Sequence, residues 1–69
     1  QTLGLSPAAY YRRLRLQIAR RMVVDTRLEL QEIALRTGFN SLSAFSRLFH
    51  GHYRQSPGAC RREARTVSA

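Results

Sequence analysis

Gly38 interrupts a helical pattern, and the way the chain resumes after it limits the fold more than any other feature. Before it, in LELQEIALRTGF, Leu30, Ile33, Ala34 and Thr37 fall on one side of a helix while Gln31, Glu32 and Arg36 point elsewhere. That spacing reads as a helix of two turns. Gly38 ends it, being free to take the left-handed conformation that closes a helix. Phe39 and Asn40 make a short turn, and Ser41 is placed to cap the next helix by accepting a hydrogen bond from a free first-turn amide. On that next helix Leu42, Phe45, Leu48, Phe49 and Tyr53 share an apolar arc, whereas Ser43, Ser46, Arg47 and His50 share the opposite one. A short helix, a tight glycine-bearing turn and a second helix with one core face and one wet face make a helix-turn-helix.

The flanks continue the helical pattern. Ser6-Pro7 is a start signal, since Ser can cap and Pro is tolerated at the first helical position. From there Tyr11, Leu14, Ile18 and Met22 recur at helical spacing as one continuous apolar stripe, and Asp25-Thr26 ends the helix. A weaker stripe of Leu16, Ala19 and Val23 lies around its side, so this helix can meet packed material on two faces, as a connector between two units would. Ser56-Pro57 repeats the opening signal and starts a last helix expected to run to about Ala64. Nothing alternates apolar and polar residues as a strand does, so the fold class is all-α, four helices with short links.

A chain of 69 residues makes at most one small domain. Twelve arginines, no lysine and four acidic residues give a formal charge of +8, which suits nucleic acid, anionic lipid or an acidic protein as partner. One cysteine, Cys60, cannot form an internal disulfide, and a reducing cytoplasm is the expected compartment. No apolar run approaches the ~20 residues that span a bilayer. No paired carboxylates, activated nucleophile or phosphate loop point to an enzyme, and no cofactor is called for. His50 and His52 sit two apart and point in different directions on a helix, so no metal site is read from them; His52 is expected to border the core and Cys60 to lie in it. The missing Met and the abrupt start suggest a piece of a longer protein.

The wet face of the helix after the turn is suited to the DNA major groove, which admits one α-helix. Ser43 and Ala44 are small enough to let the helix axis approach the base edges, and Arg47, one turn on, can reach guanine acceptors or a phosphate. Ser41 and Asn40 at the helix start, and His50 further along, complete the candidate site. The competing class is a basic helical RNA-binding or ribosome-associated protein. Readers of single-stranded RNA display exposed aromatics for stacking, whereas Phe39, Phe45 and Phe49 fall on core positions. A membrane-surface helix over residues 7–24 would need its arginines on one face, but Arg12, Arg13, Arg15, Arg20 and Arg21 are scattered. Arg13 and Arg20, seven apart, share a face that could meet phosphate; Arg61, Arg62 and Arg65 are expected to act as long-range charge.

The run GFNSLSAFSRLFHGHYRQSP resembles the signature of the AraC/XylS family of bacterial transcription regulators, through Gly38, Phe39, Ser41, Phe45, Arg47, Phe49, Ser56 and Pro57. EIALRTGF and SPAAYYRRLRLQIARRMV are similar to that family as well. The resemblance implies two helix-turn-helix units joined by a long helix. Residues 1–27 would then be the end of the first unit and the linker helix, with Leu3-Gly4 corresponding to Tyr53-Arg54. Residues 28–64 would be a complete second unit, a homeodomain-like three-helix unit with its closing helix, and 65–69 a tail. It implies sequence-specific binding of operator or promoter double-stranded DNA by a recognition helix over 42–52, with base contacts at Ser43, Ala44 and Arg47. It also implies an upstream effector or dimerisation domain and RNA polymerase as a further candidate partner, with activator and repressor roles both open. The sequence departs from the family at Glu29, where a Ser cap is usual, at Arg54, where Gly is usual, and at Cys60, where Tyr is frequent.

Overall fold

The structure, a computed structural model, describes residues 6–68. The correspondence expected for Leu3-Gly4 lies outside these residues. Within them the chain is α1 (Pro7–Asp25), α2 (Leu30–Arg36), α3 (Leu42–Tyr53) and α4 (Pro57–Ser68). α1 packs on α2 and α4, and α3 packs on the same two helices, so the core lies where the four converge. The described residues are all-α, as the periodicity predicts.

The helix ends follow the capping chemistry. Ser6, Ser41 and Ser56 each accept a hydrogen bond from the amide three residues on, Ala9, Ala44 and Ala59, at 3.2, 3.1 and 3.1 Å. Glu29 opens α2 with no side-chain cap. α4 runs to Ser68 rather than stopping near Ala64. No Gly or Pro follows Ala64 to stop the helix, and the Thr66 hydroxyl bonds back to the Arg62 carbonyl at 2.9 Å.

Phe45 and Phe49 are fully buried with Ile33, Ala34, Val23 and Ala19, and Leu16, Phe39 and Cys60 complete the core. Burying each large side chain contributes about 1.5–3 kcal/mol. Phe39, Phe45, Phe49 and Tyr53 form a continuous row, with ring centroids 5.3, 5.6 and 4.7 Å apart. The Arg20 guanidinium of α1 closes that row 5.5 Å from the Tyr53 ring. Burial raises the Tyr53 phenol above its ordinary range, with Arg20 pulling the other way.

The two stripes of α1 are told apart, and two expectations, for His52 and Arg61, are corrected. The core stripe of α1 is Leu16, Ala19 and Val23, while most of the stronger stripe faces out: Tyr11 is 57% and Ile18 51% exposed, Leu14 is exposed too, and Met22 alone packs against the core. Both stripes have helical spacing, and the choice between them is made by α2 and α4, which lie against the side where Ala19 is small enough for close approach. His52 is exposed, its ring edge-on to its neighbour Tyr53 at 4.6 Å, and does not border the core. Arg61 is a structural residue: its Nε donates to the Val23 carbonyl at 3.0 Å and its Nη2 to the Thr26 carbonyl at 3.2 Å. It thereby satisfies carbonyls that the end of α1 leaves without helical partners. Partial burial, with Arg65 nearby, lowers the pKa of this guanidinium.

Candidate nucleic-acid interface

The turn that presents α3 is closed by paired backbone bonds. The Phe39 amide donates to the Ala34 carbonyl at 2.9 Å and the Gly38 amide to the Leu35 carbonyl at 3.2 Å, the pairing that ends a helix through a left-handed residue. Gly38 supplies that residue at φ +90°. The Thr37 hydroxyl, buried, donates to the Ile33 carbonyl at 2.7 Å, so the polar atoms of the turn are satisfied inside it. Arg15 of α1 lies across Gly38, close enough that an added Cβ would stand 3.4 Å from its Nε. The far end of α3 closes on Arg54, which takes the left-handed conformation at φ 63° although it is not glycine, its amide bonded to the His50 carbonyl at 2.8 Å. An L-residue there costs about 1–2 kcal/mol.

Between those two fixed ends α3 divides sharply. Phe45 and Phe49 hold it to the core, and Asn40, Ser41, Ser43, Arg47 and His50 are all exposed on the other side. Ala44 is half-buried beside them. The six residues expected at the site therefore lie along one stretch of the chain and one side of α3, with Ala44 at its margin. Ser41 keeps its hydroxyl hydrogen free to donate while its oxygen holds the Ala44 amide. Among the described residues the single ion pair is Glu32–Arg36 at 2.8 Å on exposed α2, so Arg47 has no carboxylate partner. A lone guanidinium ringed by short side chains can approach a polyanion without breaking an existing contact.

Two residues of this region escape simple periodicity. Leu42 falls on the core arc by spacing, yet it is 37% exposed, because the first turn of α3 reaches past the packed residues. Its place one residue after the cap is the only local signal of this. Leu35 is 55% exposed on α2, on the side away from Ile33 and Ala34. Among the described residues no group of His, Cys, Asp or Glu could hold a metal ion, and no helix is long and apolar enough to cross a membrane.

A two-turn helix, a left-handed glycine turn and a second helix with a bare cationic face define a helix-turn-helix DNA-binding domain. The model of the helix-turn-helix domain family matches residues 1–63. The chain belongs to the AraC-type helix-turn-helix family of transcription regulators. It is 40% identical over 57 residues to the HTH-type transcriptional activator RhaS of Shigella boydii, covering 83% of this chain and 20% of that protein. It is 43% identical over 54 residues to the HTH-type transcriptional regulator GlxA of Rhizobium meliloti, covering 78% and 17%. With the transcriptional activator NphR of a Rhodococcus species it shares 37% identity over 60 residues, covering 87% and 18%. The chain thus spans about a fifth of the length of these relatives. No solved structure matches it.

Proposed function

We propose that this chain is the DNA-binding end of a bacterial transcription regulator, and that α3, over residues 42–52, enters the major groove of an operator or promoter. The observation that carries the reading is the division of α3: fully buried phenylalanines on one side, and on the other Ser43, Arg47 and His50 exposed, with Arg47 unpaired among the described residues. In this reading Arg47 contacts a guanine edge or a phosphate, and Ser43 and Ala44 let the helix approach closely. Ser41, Asn40 and His50 contact the backbone. The net charge of +8 supplies the sequence-independent part of the attraction.

The linker assignment of residues 1–27 draws support from the outward apolar stripe of α1. Tyr11, Leu14 and Ile18 are exposed on a helix whose other side is already packed, as a connector to a first helix-turn-helix upstream requires. Residues 28–64 then form the second reading unit. Relatives named as activators favour an activator role, with RNA polymerase as a partner of the intact regulator, working in the cytoplasm.

NMR titration of the labelled chain at low salt, with a mixed-sequence duplex and with single-stranded RNA, tests the reading. The expected result is duplex-induced shifts confined to the amides of residues 41–50 and reversed by salt. Arg47→Ala is expected to weaken duplex binding by about 1–3 kcal/mol without unfolding the chain. Shifts confined to the arginines near either end, or larger shifts with RNA, would replace groove reading with general polyanion binding.

A further inference from the structure

From residue 40 to residue 47 the exposed side chains are Asn40, Ser41, Leu42, Ser43 and Arg47. Leu42 is the one apolar side chain among them, and Arg47 is the longest. Leu42 and Arg47 stand about 7.5 Å apart along the axis and about 140° apart around it, and Leu42 belongs to the first turn, its side chain tilted toward the N-terminal end of α3, the end that meets base edges in a helix-turn-helix. The interface so presents one cationic and one apolar reader with only small groups between them.

The edges that base pairs show in the major groove are donors and acceptors, with one apolar exception, the 5-methyl group of thymine. A leucine set against donors and acceptors would strip their water and return no hydrogen bond. Set against a methyl group, it loses nothing polar and removes further apolar surface from water. Resting on the major-groove reading above, we infer that Leu42 selects a thymine, packing its branched end on the 5-methyl group of a pair other than the one that Arg47 reads. Leu42 then provides a base preference that Ser43 and Ala44 are too short to supply. Leu35 is more exposed than Leu42 but sits on α2, outside the inserted helix, and serves as the control.

The test begins by selecting duplexes on the chain at low salt from a pool randomised over about two helical turns. The best-bound duplex is then made with each thymine replaced in turn by uracil, which removes the methyl group alone. At one position the exchange is expected to weaken binding roughly fourfold, the worth of one methyl group taken out of water. Leu42→Ala should bind the thymine and uracil forms alike, while Leu35→Ala keeps the full preference. Insensitivity of the unaltered chain to every exchange, no thymine in the selected sequences, or a preference that survives in Leu42→Ala overturns the inference. Arg47→Ala separates the two levels: if it weakens binding while the uracil series is flat, only the role of Leu42 falls. If it has no effect, or if the chain selects no duplex, the groove reading falls and this inference with it.

Discussion

α1 and α3 are both amphipathic, and they turn opposite kinds of surface outward. α3 packs its large aromatics inward and shows Ser43, Arg47 and His50 to solvent. α1 packs the slighter set of Leu16, Ala19 and Val23 inward and shows Tyr10, Tyr11, Leu14 and Ile18. The outer face of α3 is polar and carries an arginine, and that of α1 is largely apolar. The difference teaches that the stronger apolar stripe of a helix need not be the one its own core uses. In the proposed linker reading a helix shared between two packed units carries two such stripes, and among the described residues the weaker one is buried while Tyr11, Leu14 and Ile18 of the stronger one are exposed.

Substitutions on the two helices should separate these roles. The largest effect belongs to the inner face of α3: Phe45→Ala removes a fully buried ring and is expected to cost about 3–5 kcal/mol, leaving so small a domain largely unfolded by circular dichroism at room temperature. Arg61→Ala breaks the two bonds that tie α4 to the end of α1, with an expected loss of about 1.5 kcal/mol in urea unfolding. Gly38→Ala forces a side chain into φ +90° and is expected to cost about 1–2 kcal/mol, chiefly through the backbone, since the Arg15 contact it makes is tolerable. The smallest effect is expected on the outer face of α1, where Tyr11→Ser and Ile18→Ser should each change the unfolding free energy of this chain by no more than about 0.5 kcal/mol. A large loss from either would mean that the outer stripe already supports the fold, and the contrast with α3 would collapse.

Features decided within a few neighbouring residues were legible in the sequence. The Ser caps at 6, 41 and 56, the left-handed Gly38 and the inward phenylalanines of α3 all follow from local rules of capping, turn and period. What was not legible depends on partners distant in the chain. The covered side of α1 is chosen by α2 and α4, and Arg61 finds its acceptors 38 and 35 residues earlier, where no periodicity points. Leu42 was misplaced for a third reason: spacing gives its direction around α3 but not that the core ends before its turn does. The outward placement of Asn40, Ser41, Ser43, Arg47 and His50 was readable because Phe45 and Phe49 leave α3 only one way to face.

The nineteen residues of α1 also act as a gear shaft. Its inner teeth, Leu16, Ala19 and Val23, mesh with the reading unit, and Arg61 pins its C-terminal end. One residue inserted between Arg12 and Arg13, ahead of those teeth, would leave this unit untouched while turning everything upstream by about 100° and advancing it by about 1.5 Å. On a duplex, that rotation is enough to swing the proposed upstream reader off the groove. If α1 is the proposed linker, the angular phase between the two readers is set by residue count in α1, and a second insertion or a deletion resets it in steps that no side-chain substitution can reproduce.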